Sequence, residues 1–254
     1  MILDGFKLDG QVALVTGAGQ GLGLGMSLAL AEAGADIAGL DRSASPDTSR
    51  AVQDLGRRYH QIVCDLRTTS VDGLNKIVAD IVSNLGHLDI LVNNAGIIRR
   101  APALEFSEAD WDDVLQIDLK SVFFLSQAAA RVMVPQGHGK IINIASMLSF
   151  QGGILVPSYT AAKSGIAGIT RALANEWAKH GINVNAIAPG YMATDNTAPI
   201  RADANRAQSI LERIPAGRWG TPADLGGAVV FLASNASSYL EGAILPVDGG
   251  WLTR

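Results

Sequence analysis

Short apolar runs alternate with longer amphipathic ones along the whole chain. Gln11–Val15 (QVALV) reads as a buried strand, and so do Asp36–Leu40, His60–Cys64, Asp89–Val92, Lys140–Ile144, Ile182–Ile187 and Ala243–Val247. Aliphatic and β-branched residues fill both faces of these runs, which is the pattern of parallel strands covered on each side by helices. Between them, apolar residues recur at helical spacing in Leu22–Ala33, Pro46–Arg58, Val71–Leu85, Glu108–Val134, Ser158–His180 and Ala223–Ala233. Strict strand–helix alternation predicts an α/β fold, a doubly wound parallel sheet of seven strands with right-handed crossovers.

No linker, low-complexity tract or charge block divides the chain, so residues 1–254 are expected to form a single domain. The alternation lapses between residues 190 and 222, a stretch bounded or interrupted by Pro189, Pro199, Pro215 and Pro222. A segment that long in a compact domain suits a substrate lid, with a short helix expected around Asn205–Arg213. Composition narrows the setting. Hydrophobic residues are 48% and charged residues 17% of the chain, as in globular proteins with a large core. Twenty basic against twenty-four acidic residues leave a net charge of −4, the wrong sign for a sequence-blind nucleic-acid binder. The one cysteine, Cys64, excludes an internal disulfide and reads as a core thiol. No apolar run reaches the roughly 18 residues of a membrane span. Met1–Gly10 carries Asp4, Lys7 and Asp9 rather than a signal-peptide stretch, so a cytoplasmic location is expected.

Chemistry first shows after the first strand. Gly17, Gln20, Gly21, Leu22 and Gly23 lie in a glycine-rich turn that opens a helix. Such a turn lets backbone N–H groups approach a pyrophosphate seated on the helix dipole. Taken alone it can equally be a ligand-free tight turn. Asp41 ends the second strand, 18 residues beyond Gly23, and suits the hydroxyls of an adenosine ribose. A carboxylate there repels a 2′-phosphate, so NAD is expected over NADP, although a guanidinium at Arg42 can meet such a phosphate. The fourth strand runs into Asn93-Asn94-Ala95-Gly96 at the carboxyl edge, where open parallel sheets bind ligands. Asparagine-stabilised turning is the plain alternative.

Ser146 follows the fifth strand. Tyr159 and Lys163 follow on the next helix, four apart and so on one face. A free phenol has a pKa of about 10, and a neighbouring ammonium favours phenolate. A tyrosine so placed can give or take an alcohol proton. Ser146 would hold the carbonyl oxygen.

These motifs, in this order and at this spacing, resemble the short-chain dehydrogenase/reductases over essentially the full length. They are Thr16-Gly17-x3-Gly21-x-Gly23, Asn93-Asn94-Ala95-Gly96, Ser146, Tyr159-x3-Lys163 and Pro189-Gly190 with Thr194 beyond. The resemblance implies a Rossmann domain, a nicotinamide coenzyme, and Tyr159 as the acid/base. It implies that Lys163 also binds the nicotinamide ribose and that Ser146 orients substrate. Asp65 and Leu66 would then flank the adenine, and Asn93 would support the coenzyme. Pro189, Gly190, Met192 and Thr194 would hold the carboxamide end. In this family an asparagine usually kinks the helix before Leu-x-x-x-Phe and frees a backbone carbonyl for a relay water. This chain has Asp118 at that place, which adds charge near the lysine.

A narrower likeness runs through Asn94–Arg100, Glu105–Ser107, Ala145–Gly153, Ala188–Thr194 and Ile214–Gly220. These stretches are similar to the 2-deoxy-D-gluconate 3-dehydrogenase group, also described as 2-dehydro-3-deoxy-D-gluconate 5-dehydrogenases, which serve carbohydrate breakdown with NAD(H). A sugar-acid substrate has a carboxylate and hydroxyls. Arg99 and Arg100 offer guanidinium forks for the first, with a solvated loop or a subunit salt bridge as the alternative role. Gln151 and Tyr191 offer hydrogen bonds for the second. His60, His87, His138 and His180 lack ligand spacing, so no metal is expected. Trp111, Trp177 and Trp251 are assigned to packing or interfaces. Pro246–Trp251 resembles a family segment at subunit contacts and implies a homotetramer. The competing functions are a 3-oxoacyl-carrier-protein reductase, a polyol dehydrogenase, and a non-catalytic NAD-sensing protein.

Overall fold

The computed structural model describes residues 1–254. Seven strands form one parallel sheet: β1 (Val12–Thr16), β2 (Asp36–Asp41), β3 (Tyr59–Val63), β4 (Ile90–Asn93), β5 (Gly139–Ile144), β6 (Ile182–Pro189) and β7 (Ile244–Val247). Their order is β3-β2-β1-β4-β5-β6-β7. The helices are α1 (Gly21–Glu32), α2 (Pro46–Asp54), α3 (Val71–Leu85), α4 (Glu108–Leu115), α5 (Ser121–Gln136), α6 (Pro157–Trp177), α7 (Ala198–Ala202), α8 (Ala204–Arg213) and α9 (Gly226–Ala233). None is long and apolar enough to cross a membrane.

The apolar runs are strands because both their faces are covered. All residues of β1, β5 and β6 are buried. Within β1, Val12 and Leu14 enter a core of 24 buried residues shared with α3 and α5, whereas Ala13 and Val15 enter one of 20 shared with α1 and α9. The period-two alternation of a strand thus feeds two cores at once. α3 shows the matching helical logic. Leu74, Ile77, Val78, Ile81 and Leu85 line its buried face, Ser70 accepts a hydrogen bond from the Gly73 amide at its start, and Gly86 at φ 99° ends it. Five buried aliphatic side chains at about 1.5–3 kcal/mol each hold that helix far more firmly than propensity does.

Several expected boundaries move. α2 ends at Asp54 instead of Arg58, and Gly56 at φ 74° turns the chain away. A turn at Pro222–Leu225 precedes α9, and a second short helix, α7, precedes α8. The single helix expected over Glu108–Val134 is interrupted by a wide, five-residue π turn at Gln116–Lys120. There the Ser121 hydroxyl donates to the Ile117 carbonyl at 2.6 Å, and the Asp118 carboxylate reaches sideways to accept from the Ile97 amide at 2.8 Å. Side chains drawn into the ladder widen it. Cys64 packs against the margin of the larger core, as expected, but also lines the cavity wall. It lies just past β3, half-buried, with Sγ 2.9 Å from the Thr69 hydroxyl.

β1 and β4 are hydrogen-bonded neighbours, Leu14 opposite Leu91, although two strands and three helices separate them in sequence. The chain leaves β1 toward β2 on one side and returns to β4 on the other. That reversal opens a crevice at the carboxyl ends of the strands, where this class of sheet binds ligands.

Candidate active site

The crevice is a cavity of about 430 Å³ running from Asp41 and Asp65 at one end to Tyr159 and Lys163 at the other. Its walls include Gly17, Gln20, Gly21, Leu22, Arg42, Leu66, Ala95, Gly96, Arg99, Asp118 and Thr194. Residues from the ends of five strands thus meet in one groove.

The glycine loop is pinned from below. The Thr16 hydroxyl accepts from the Asn94 and Ala95 amides at 3.0 and 2.9 Å, and the Asn94 side chain donates back to the Thr16 carbonyl at 2.8 Å. Gly17 and Gly21 adopt φ of 67° and 55°, conformations that favour glycine. Gly23 lies under the loop, where a Cβ would overlap the Gly17 carbonyl oxygen. Asp41 accepts from the Gly19 amide at 2.9 Å and from the Arg42 amide at 2.7 Å, which fixes its carboxylate at the rim. These residues fit a dinucleotide: bare backbone amides, a cradle that any side chain would fill, and a held carboxylate at the ribose end.

Asn93 lies beneath the groove rather than in its wall. Its amide donates to Ser126 Oγ at 3.0 Å and Asn143 Oδ1 at 2.9 Å, and Asn143 in turn donates to Thr170 Oγ1 at 2.9 Å. This buried ladder ties β4, β5, α5 and α6 together, so the helix carrying Tyr159 and Lys163 is fixed against the sheet.

Pro157 begins α6 and sets Tyr159 in its first turn. One turn on, the Lys163 ammonium donates to the Ile144 carbonyl at 2.9 Å, sits 5.4 Å from the Tyr159 ring centre, and lies 3.4 Å from Asp118 Oδ2. Ser146 accepts from the Leu148 amide at 3.2 Å, and its hydroxyl helps to lower the Tyr159 phenol. The phenol stands above its ordinary value. Burial pushes it up most; Lys163 pulls it down, Asp118 pushes it up, and Ser146 and Arg100 pull it down. Burial likewise raises the Asp118 carboxyl, against the pull of Lys163 and the Ile97 amide.

The other expected residues are more dispersed. Arg99 is engaged by two carboxylates, Asp110 at 3.0 Å and Asp113 at 3.4 Å, and Arg67 joins Asp113 at 3.5 Å. Arg100 has no carboxylate partner and touches only the Asn196 carbonyl, at 3.4 Å. Gln151 meets Arg213 at 3.5 Å. Gly190, Tyr191 and Met192 line a separate cavity of about 140 Å³, while Pro189 ends β6 above it. Tyr191 packs edge-on against Trp219 and Trp251, with ring centres 5.4 and 4.8 Å away. Cavity residues assigned no individual role from the sequence include Asn94, Ile97, Ile98, Asp195 and Asn196. Asn94 reads only as part of its turn, and adjacency of the two small-residue turns after β1 and β4 was the available signal for it and for Ile97 and Ile98. The last two fall within the stretch expected to be the lid, whose pattern singles out no residue. His87 and His138, far apart in sequence, both reach Asp89 at 3.0 and 2.9 Å on the opposite edge of the sheet.

A family profile described as "Enoyl-(Acyl carrier protein) reductase" matches residues 17–252. The chain is 61% identical, over the full length of both, to the 2-dehydro-3-deoxy-D-gluconate 5-dehydrogenase of Escherichia coli. The chain belongs to the short-chain dehydrogenase/reductase family. Members of this family are oxidoreductases with nicotinamide coenzymes, and this one is an oxidoreductase. Two solved relatives extend the likeness to three dimensions. A crystal structure from Agrobacterium tumefaciens with bound NADP, described as a candidate 2-deoxy-D-gluconate 3-dehydrogenase, is 53% identical with a TM-score of 0.92, covering 99% of this chain and 100% of that one. A gluconate 5-dehydrogenase from Burkholderia cenocepacia, in complex with NADP and tartrate, is 39% identical with a TM-score of 0.95 and full coverage of both chains.

Proposed function

We propose that this oxidoreductase interconverts a hydroxyl and a keto group on a deoxy sugar acid, of the 2-dehydro-3-deoxy-D-gluconate or 2-deoxy-D-gluconate type, using NAD(H). One observation carries the chemistry: the Tyr159–Lys163 pair and the glycine loop share one groove. The coenzyme, when bound, supplies or accepts the hydride. Tyr159 moves the proton of the substrate oxygen, Ser146 holds that oxygen by a hydrogen bond, and the Lys163 ammonium favours the phenolate. The names of the relatives support the sugar-acid class.

Within this proposal the two arginines take different parts. Arg99, held by Asp110 and Asp113, stiffens the loop after β4. Arg100, without a carboxylate, is the free fork for the substrate's acid group. The Ala101 amide donates to the Leu155 carbonyl at 3.1 Å, which keeps Arg100 beside the start of α6 and hence near Tyr159. Gln151, outside the groove beside Arg213, is the remaining candidate for sugar hydroxyls, whereas Tyr191, packed against Trp219 and Trp251 in the separate cavity, is left to packing. Residues 190–222, in one domain with the rest, act as the lid, and the Arg100–Asn196 contact links it to the loop after β4. Asp41 supports NAD, because its fixed carboxylate would face a 2′-phosphate. NADP in both solved relatives, and Arg42 beside Asp41, make NADPH the coenzyme to run alongside. A homotetramer completes the proposal, in keeping with the exposed apolar side chains of Phe150 and Ile154.

The test is a panel of deoxy-gluconates, keto-uronates, polyols and a 3-oxoacyl thioester, each followed by nicotinamide absorbance with both coenzymes. Highest kcat/KM with a keto or hydroxy sugar acid and NAD(H) is expected. Preference for the polyols or the thioester would overturn the substrate class, and preference for NADP(H) the coenzyme assignment.

A further inference from the structure

The acidic side chain at position 118 has no role in the proton transfer described above, yet it is the charge nearest Lys163. It is fully buried. One oxygen accepts from the Ile97 amide. The other, Oδ2, has no hydrogen-bond partner and faces the ammonium at 3.4 Å. Lys163 donates to the Ile144 carbonyl, and none of its hydrogens makes a hydrogen bond to Oδ2, so what joins the two is charge rather than a directed bond. Gly96 permits the approach, since a Cβ there would stand 2.8 Å from Oδ2. An amide at this place would keep the bond to Ile97 through its oxygen. It would then turn an N–H group toward the ammonium and supply no counter-charge.

The surroundings hold few competitors for that charge. Lys163 and Tyr159 face it from α6, and the loop after β4 brings Arg100 to bear on Tyr159. β5 offers the Ile144 carbonyl and the same loop the Ile97 amide, both uncharged. We propose that Asp118 is a positioning residue acting through Lys163: its ionised carboxylate holds part of the ammonium's field away from Tyr159. On this basis the negative charge, rather than the hydrogen bond, is what position 118 gives to proton transfer. The inference rests on Tyr159 as the proton-transfer group. The consequence has a sign. A nearby negative charge disfavours the phenolate, so alcohol oxidation, which starts from phenolate, runs on a more alkaline limb than it would with an amide at this position.

The variant Asp118→Asn tests it with two readouts. The first needs no substrate: the Tyr159 phenolate is titrated by ultraviolet difference against Tyr159→Phe, in the parent and in the Asp118→Asn background, with circular dichroism confirming the fold. The second is the pH profile of kcat/KM for oxidation. Both midpoints are expected to fall by about one pH unit or more. An unmoved or rising phenolate midpoint would overturn the proposal. So would a uniform loss of rate with no change of midpoint, or a protonated-carboxyl infrared band in the parent at neutral pH that Asp118→Asn removes. If no member of the panel is turned over, the substrate assignment fails while the phenolate titration still decides the role of Asp118. Should Asp118→Asn not fold, Asp118→Glu keeps the charge and is expected to hold the parent midpoint; a fall in it would overturn the proposal.

Discussion

Arg99 and Arg100 are adjacent in sequence and chemically identical, yet the structure gives them different partners, and truncating each to alanine separates the parts proposed for them. Arg99→Ala removes two ion pairs whose side chains are 36% and 42%, and 36% and 23%, exposed. Partly exposed pairs of that kind are worth up to about 1 kcal/mol each, so a lower melting temperature and a KM within about threefold of the parent are expected. Arg100→Ala breaks only a 3.4 Å contact to the Asn196 carbonyl, so stability should hardly change. It deletes the fork assigned to the substrate carboxylate. A charge-assisted hydrogen bond is worth about 1.5–3 kcal/mol, which corresponds to a roughly 10- to 150-fold loss in kcat/KM. The assay runs each variant with the sugar acid and with its neutral alditol or amide. The neutral analogue also reports any effect of the Arg100 charge on Tyr159, so the acid-specific part can be separated. Equal losses on acid and neutral analogue, or an acid-specific loss in Arg99→Ala instead, would refute the assignment.

Two further outcomes follow from contacts away from the substrate. The Asp224 carboxyl is held well below the usual carboxylate range, chiefly by its hydrogen bond to Arg218 and also by the Thr221 amide. A depressed carboxylate contributes stability that is present above its unfolded pKa of about 4 and is lost as pH falls through its folded value. Thermal melting from pH 7 to pH 2 should therefore show Asp224→Asn less stable than the parent at neutral pH, with the gap closing in acid; a gap constant with pH would contradict this. Gly23→Ala places a Cβ against the Gly17 carbonyl and 2.6 Å from the Asn94 side-chain Nδ2. Overpacking of about 1–3 kcal/mol should appear as a roughly 5- to 150-fold weaker coenzyme Kd by fluorescence titration, and an unchanged Kd would contradict the loop's role.

The sheet was readable because its strands are uninterrupted aliphatic runs, and only two-sided burial makes such runs stable as parallel strands. α3 was readable to the residue, since its five buried aliphatics and its Ser70 and Gly86 caps all agree. The wide turn at Gln116–Lys120 was invisible to apolar periodicity, which continues across it; only the family likeness, with its helix kink at position 118, pointed there, and in the structure the carboxylate at 118 accepts from a backbone amide 21 positions away in sequence. The site was legible where chemistry is local, as in the glycine loop and the Tyr159–Lys163 spacing. It was not legible where tertiary partners decide: that Arg99 is occupied and Arg100 free depends on Asp110 and Asp113 of the next helix. Cys64 read as core because it continues an apolar run; the strand ends one residue earlier, which leaves it both at the core's margin and in the cavity wall.

Proton transfer by the Tyr159 hydroxyl is the claim on which the rest stands, and Tyr159→Phe removes that one atom while keeping the ring. Turnover of the sugar acid and coenzyme Kd should be measured on the same preparation. A fall in kcat of roughly 10²- to 10⁴-fold with Kd within about twofold of the parent is the expected result. A variant that keeps most of its activity would contradict it.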